Sequence, residues 1–490
     1  MSFLENKTPS ILDFCPRTPR PIQKEILLQI ERDYHHFDVF VCNLPTGLGK
    51  SFIALTLAKW LHKVHKLPNA ILTPTNILRD QYVQETPGLH TLSNAGLYTC
   101  HNWDDETSCK VVKGKQKHYC KGCPYLSARK RSYVMPYAVY NSYIYLANRL
   151  HKSAIIYDEA HTAINLLQDR AKDRLWRHDY HYDNSIQSYQ DLINWLRMRE
   201  TKTGLDEKQQ MLLDELTSGK PRYVVERGED LYRGEMRDCL KLLPVDVRDQ
   251  PPILWPPSKT RKIFLLSATI GKPDVVQLGL DKKRVQYYTA ASPVDPARRP
   301  VTYMPVGSMS VATKARTLPR MLATLENIAA RFPAQKGMLH CTYEVARDLQ
   351  ALMGDGPLKD RLLFHKKEDR TEVVNAFKAF PPESGKILVG CGLEEGLDLI
   401  GDLARFQVIV KVPWPSLEEP AIRYMAGQDP EWYNWQTVKK LLQASGRIVR
   451  SVSDYGETFV IDSSFQRLYD EARDMFPQWW LDALVQEDLP

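Results

Sequence analysis

Short apolar runs rich in β-branched residues recur along the chain, and most lead into a stretch where apolar positions return every three or four residues. The runs cover residues 38–43, 70–73, 153–157, 262–266, 336–341, 386–389, 406–412 and 458–461. A buried parallel strand reads as a continuous apolar run, and the following 3.6-residue period reads as the helix that crosses back over the sheet. The alternation therefore predicts an α/β fold built on parallel sheets. The proline-containing segment 290–300 interrupts it and is read as a linker between two such domains. Two stretches break the pattern and are read as inserts in the first domain. Residues 96–148 are rich in Cys, Tyr and Lys, while 162–259 shows helical spacing, as in Leu192, Ile193, Leu196 and in Met211, Leu212, Leu216.

A length of 490 residues with 43% hydrophobic and 26% charged side chains leaves room for several globular domains. The formal charge of +7 suits a polyanionic partner without requiring one. No run approaches the roughly 18–20 apolar residues of a membrane span, and the first ten residues lack a signal-peptide core, so a soluble intracellular protein is expected. Cys42, Cys341 and Cys391 stand singly in apolar runs and read as buried thiols of a reducing, cytoplasmic compartment, a nuclear location remaining open.

Chemistry begins at Leu44-Pro45-Thr46-Gly47-Leu48-Gly49-Lys50-Ser51, between an apolar run and a predicted helix over 52–62. Backbone N–H groups of such a loop cradle phosphates at a helix N-terminus, Lys50 reaches the β/γ oxygens, and Ser51 holds Mg²⁺. Leu44 replaces the first glycine of the general P-loop pattern. A phosphate site needs a carboxylate on a neighbouring strand, and 154–157 runs straight into Asp158-Glu159-Ala160-His161. Asp158 would hold Mg²⁺ through water, and Glu159 would position and deprotonate the attacking water. By itself this acidic pair could be a solvated strand end; the apolar strand and the P-loop upstream argue for chemistry.

In this order the residues resemble superfamily 2 helicases of the XPD/DinG type, with an Asp-Glu-Ala-His (DEAH) box. Arg20-Pro21-Ile22-Gln23 resembles the adenine-side Q-motif, Thr73-Pro74-Thr75 resembles motif Ia, and Ser267-Ala268-Thr269 resembles motif III, which couples the two domains. Glu395-Gly396-Leu397-Asp398 resembles motif V, and Gln443-Ala444-Ser445-Gly446-Arg447-Ile448-Val449-Arg450 resembles motif VI. The resemblance implies ATP binding by Gln23, Thr46, Gly47, Gly49, Lys50, Ser51 and Asp398. It implies catalysis with Lys50, Asp158, Glu159, Gln443, Arg447 and Arg450, nucleic-acid contact by Thr73, Thr75 and Arg129, and coupling through Ser267 and Thr269. Charge accumulates on the γ-phosphate during hydrolysis, and guanidinium groups from a second domain would stabilise it. Two arginines at i, i+3 are otherwise a common solvated helix pattern.

Cys100, Cys109, Cys120 and Cys123 cluster in the first insert and end in Cys-x-x-Cys. Four thiolates suit zinc or an iron–sulfur cluster, and spacing does not choose between them. The resemblance implies a 4Fe-4S cluster, from the place of the cysteines between motifs Ia and II and from Cys123-Pro124-Tyr125, Arg129 and Asn141-Ser142-Tyr143-Ile144-Tyr145-Leu146. Zinc is the second candidate, with His101 and His118 as possible substitute ligands. Lys110, Lys113, Lys115, Lys117, Lys121, Arg129, Lys130 and Arg131, interleaved with Tyr119, Tyr125 and Tyr133, suit phosphates and unpaired bases, or a solvated charge run.

The expected architecture is two RecA-like parallel-sheet motor domains, the first carrying a four-cysteine iron–sulfur insert and a helical arch insert. Motor domain 1 is placed at 1–95 with 147–165 and 256–289, the cysteine insert at 96–146, the arch at 166–255 and motor domain 2 at 290–490. The function implied is an ATP-dependent 5′–3′ helicase using ATP, Mg²⁺ and the cluster on single-stranded DNA and on forked or tailed duplexes, with RNA–DNA hybrids open and no membrane involved. The alternative is an ATP-driven remodeller that displaces proteins or hybrid loops without processive unwinding. Lys50, Glu159, Arg447 and Arg450 argue against an ATPase-dead structural subunit.

Overall fold

The computed structural model describes residues 8–100, 122–218, 223–232, 234–245, 247–248, 253–393, 397, 399–449 and 451–486. They form two compact units: most of the chain before Thr289 makes the first, and Thr289–Glu418 with Met425–Pro490 makes the bulk of the second. No helix among the described residues is long and apolar enough to cross a membrane.

The first unit contains strands β1 (Val39–Asn43), β2 (Asn69–Thr73), β3 (Tyr137–Asn141), β4 (Ala154–Asp158), β5 (Asp173–Trp176), β6 (Tyr223–Tyr232), β7 (Glu235–Pro244), β8 (Lys262–Ser267) and β9 (Val285–Thr289). Six of them make one sheet in the order β3-β2-β4-β8-β1-β9. The registers of β1 with β8, β8 with β4, β4 with β2 and β2 with β3 are all parallel. Their apolar runs are buried because helices cover both faces, and one continuous core includes Val39, Val41, Ile155, Tyr157, Ile263 and Leu265. Placing β1 beside β8 and β8 beside β4 brings the C-terminal ends of three strands, Asn43, Asp158 and Ser267, to one edge. That is where ligands bind in open parallel sheets.

The structure revises two boundaries. Residues 137–141, read above as part of the cysteine insert, are β3, the edge strand of the first unit's six-stranded sheet, in register with β2 from Asn69↔Tyr137 to Thr73↔Asn141. Tyrosines between Tyr137 and Tyr145 read as core in the sequence, and Tyr140 and Tyr145 are indeed buried, but their place in the first unit's sheet depends on pairing with β2. The arch-like stretch is not purely helical. Its two longest helices, Tyr189–Thr203 and Glu207–Thr217, are followed by a long hairpin of β6 and β7, with β5 added antiparallel to β7. The hairpin alternates with period two at its base, where Tyr223, Val225, Leu240 and Leu242 join a separate core with Leu192, Leu196, Leu212 and Leu216. Gly234, at φ +97°, makes the tight reversal between Tyr232 and Glu235. Charged residues toward the tip, such as Glu229, Asp230 and Arg237, hid the alternation in the sequence.

The second unit contains β10 (Val301–Gly307), β11 (Gly337–Cys341), β12 (Leu362–Leu363), β13 (Ile387–Cys391), β14 (Phe406–Ile409), β15 (Glu457–Asp462) and β16 (Leu484–Gln486). They form a sheet in the order β12-β13-β11-β14-β15-β10-β16, with parallel pairings throughout. The register of β10 on β15 shifts between Tyr303 and Gly307, where Pro305 has no N–H to give the ladder. Cores on the sheet's faces gather Leu339, Val389 and Phe459 on one side, and Ile409, Val438, Val460 and Trp480 on another.

Candidate nucleotide and nucleic-acid sites

The loop after β1 turns sharply into the helix Lys50–Lys63. Gly47 and Gly49 take φ of +78° and +91°, a region that side chains other than glycine enter only under strain. At Gly49 the space is also taken: a Cβ would stand 2.6 Å from Nε2 of Gln23. Gln23 is buried, and its Oε1 accepts the backbone N–H of Arg20 at 2.9 Å, so Gln23 is fixed against Gly49 at the N-terminus of this helix. Lys50 and Ser51 begin the helix, where unpaired N–H groups favour an anion.

Asp158 ends β4 and is 3% exposed. One oxygen accepts the Glu159 N–H at 3.0 Å, and the other accepts the phenolic O–H of Tyr82 at 2.7 Å. Burial pushes its pKa well up, and the neighbouring Glu159 adds to this, with Lys50 and the Tyr82 hydrogen bond opposing. An ionised carboxylate held out of water in this way is a site where a cation lowers the free energy, so Asp158 fits a metal ion brought by a nucleotide. Glu159 adopts φ +55°, a left-handed conformation rare for a residue with a side chain and of a kind that collects at functional sites. Its carboxylate lies 3.3 Å from Lys50 Nζ and 3.5 Å from His161 Nδ1. The same ring nitrogen is 2.8 Å from Ser267 Oγ, which accepts the Thr269 N–H at 3.1 Å. P-loop lysine, acidic pair and motif III are thus one hydrogen-bonded set within the first unit.

The residues singled out for nucleic acid separate. Thr73 is buried, and its hydroxyl donates to the carbonyls of Thr75 and Tyr140. Thr75 is exposed and caps the helix Asn76–Glu85 by accepting the Leu78 N–H at 3.2 Å, which leaves it, and not the Thr73 side chain, at the surface. Arg129 lies on the helix Pro124–Val134, with its guanidinium over Tyr133 and a 3.3 Å bond to the Tyr133 hydroxyl.

Cys123 is the residue before that helix; it and Cys100 are both buried and share a small cluster bordered by Tyr98, Tyr125 and Leu126. Two of the four thiols therefore come together away from water, as a thiolate-bound metal or cluster requires, while Cys109 and Cys120 lie outside the described residues. Among the described residues no set of three His, Cys, Asp or Glu side chains is placed to hold a metal ion. The helix after Cys123 is anchored to the first unit's sheet by Lys152, two residues before β4. Its buried ammonium donates to the carbonyls of Ser132, Tyr133 and Met135 at 3.0, 3.1 and 2.8 Å. Burial pushes its pKa down to about 8, against the pull of these helix-end carbonyls. Sequence reading missed both Lys152 and Tyr82; a lone lysine or tyrosine carries no spacing signal.

In the second unit, Gln443 sits in the last turn of the helix Pro430–Ser445. Arg447 lies beyond the helix end and is 7% exposed, so it is not a solvated helix residue. It donates through Nη1 to the Leu397 carbonyl at 3.1 Å, tying motif VI to motif V. Gln407 supports the turn by donating to the Ser445 carbonyl at 2.9 Å, with its Oε1 3.1 Å from His340 Nε2. Asp398 and Arg450 lie outside the described residues, as do Glu395 and Gly396.

Known proteins resemble parts of both units. Residues 17–202 match the type III restriction enzyme res subunit family, and residues 325–483 match the helicase C-terminal domain family. The regulator of telomere elongation helicase 1 homolog of Drosophila persimilis is 34% identical over 89 residues, which is 15% of this chain and 9% of that protein. The Drosophila melanogaster homolog is 33% identical over 89 residues, with the same shares. The matched stretch thus spans 9% of the length of these curated relatives. Among solved structures, S. tokodaii Xpd4 aligns with a TM-score of 0.57 at 15% identity, covering 96% of this chain and 100% of that one. An XPD helicase structure aligns with a TM-score of 0.61 at 14% identity, again covering 96% and 100%.

Proposed function

We propose, from the matches to the type III restriction enzyme res subunit and helicase C-terminal domain families and from the XPD-like fold, that the chain is a superfamily 2 helicase of the XPD/DinG type, which hydrolyses ATP to move 5′–3′ along single-stranded DNA and separates the duplex ahead. The observation that carries this reading is the Lys50–Glu159 pair at 3.3 Å beside buried Asp158, with His161 bridging to Ser267. Without nucleotide, Lys50 neutralises Glu159. An arriving triphosphate gives Lys50 stronger partners in the β/γ oxygens, and its departure frees Glu159 to orient water and accept its proton. As that water attacks the γ-phosphorus, the bond to the ADP oxygen breaks and the new charge falls on oxygens facing Lys50. Mg²⁺, held by Ser51 and Asp158, would supply further charge neutralisation there. His161 reports the state of Glu159 to Ser267 and Thr269, the coupling pair.

Cys100, Cys109, Cys120 and Cys123 would hold a 4Fe-4S cluster in an insert that Lys152 anchors to the strand carrying Asp158. Thr75 and Arg129 would touch the strand. The test is unwinding of 5′-tailed and 3′-tailed DNA duplexes, with RNA–DNA hybrids alongside, under anaerobic conditions. The expected result is ATP-dependent separation of the 5′-tailed DNA duplex; hydrolysis with no separation of any substrate would reject the reading.

From the motif VI resemblance alone, we propose that Arg447 meets transition-state charge on the γ-phosphate. Arg447→Ala is expected to lower kcat by about 10- to 100-fold with much less change in KM for ATP, because such contacts are strongest in the transition state. Steady-state kinetics beside thermal melting separates this from loss of the Leu397 brace, since a purely structural arginine would lower the melting temperature and leave turnover per folded molecule intact.

A further inference from the structure

The helix Asn76–Glu85 touches the motor's business at both ends. At its N-terminus Thr75 is exposed, with the helix cap on its hydroxyl, at the place assigned to strand contact. Seven residues on, about 10 Å along the axis, Tyr82 is 1% exposed and donates its hydroxyl to Asp158 Oδ2 at 2.7 Å. Among the described residues, this is the side-chain hydrogen bond made to Asp158; its other oxygen is held by the backbone N–H of Glu159. A buried phenol needs a partner, but it did not need this one: backbone carbonyls satisfy other buried tyrosines here, as Ser132 does for Tyr140.

We propose that Tyr82 is a positioning residue that links strand binding at the N-terminal end of this helix to the Asp158 carboxylate, so that a gripped strand sets the geometry of the ATP site. The inference rests on the reading of Asp158 and Thr75 given above. A helix is stiff along its axis, and its backbone bonds make it move as a unit. Strand phosphates drawn to Thr75 and the first-turn N–H groups pull the helix along that axis, and Tyr82 moves with it. The hydroxyl then carries the carboxylate toward, or away from, the geometry that suits a nucleotide-bound cation. Strand and nucleotide sites acquire a coupling free energy through this contact, and coupling in equilibrium binding must be reciprocal.

The variant that isolates the contact is Tyr82→Phe, which keeps the ring and removes only the hydroxyl. In the wild-type chain, a saturating single-stranded oligothymidylate should raise kcat for ATP, and a fluorescent ATP analogue should tighten oligonucleotide binding. In Tyr82→Phe the strand-saturated kcat is expected to fall about 10-fold, and the strand-free kcat only about twofold. The mutual effect of strand and nucleotide on each other's Kd should shrink toward one, while the Kd of the strand measured alone stays where it was. Tyr82→Leu, which also lacks the hydroxyl but packs differently, should lose the coupling too. Wild-type coupling in either folded variant overturns the proposal, as does an equal fall in strand-free and strand-saturated turnover, which would make Tyr82 a support for Asp158 alone. Glu159→Gln run in parallel distinguishes the two levels: undiminished hydrolysis there rejects the ATP site itself.

Discussion

Glu159→Gln is expected to keep nucleotide binding and lose turnover by about 10²- to 10⁴-fold, the range that a positioned general base contributes. The substitution preserves shape and removes the charge that accepts the proton of the attacking water. It also removes the partner that holds Lys50 at 3.3 Å, so Lys50 meets the triphosphate without first breaking an ion pair, and ATP affinity should rise or hold. Lys50→Ala should act in the opposite way, weakening nucleotide binding because the β/γ oxygens lose their cation, and leaving Glu159 repelled by the incoming phosphates. Equilibrium binding of a fluorescent ATP analogue, beside phosphate release with and without a single strand, reads both variants. Hydrolysis unchanged in either one rejects the site.

The second large effect is expected at the cysteines. Anaerobically purified protein should be brown, with iron and sulfide in equal amounts, whereas colourless protein containing zinc would sink the cluster assignment. Cys123→Ser places a poorer ligand next to Cys100, directly before the helix whose far end Lys152 clamps to the motor. Metal binding supplies much of the folding free energy of small ligand-rich inserts, so losing a ligand should loosen the insert. The motor sheet, with its own core and with β3 now counted in it, should survive. Duplex separation is therefore expected to fall by roughly 10-fold or more, in line with losses on disturbing the support of a metal site, while strand-stimulated hydrolysis persists. Cys120→Ser should behave alike. Unwinding at the wild-type rate by a demonstrably cluster-free variant would assign the insert another role.

The sequence by itself determined the parts whose signal is local. Buried parallel strands must be apolar along their whole length, so β1, β2, β4, β8, β11, β13, β14 and β15 were all visible as runs. A loop that wraps phosphate needs glycines at fixed offsets from a lysine, so Gly47, Gly49, Lys50 and Ser51 could be named without any structure. Acidic residues at the end of an apolar strand, and cysteines in Cys-x-x-Cys, have the same local character. What the tertiary structure decided depends on residues far apart in the chain. The strand order puts Asp158 and Ser267 beside each other across 109 positions, and the 2.8 Å contact of His161 with Ser267 exists only because β4 pairs with β8. Tyr82, Lys152 and Gln407 are single polar residues with no periodicity, and their importance lies wholly in what burial forces them to bond. Tyr137–Asn141 and the β6–β7 hairpin were misread for a related reason: β propensity expresses packing against neighbours, and those neighbours come from elsewhere in the chain. The same burial took Thr73 from the surface and left Thr75 there, a distinction between two threonines of one motif that side-chain type could not make.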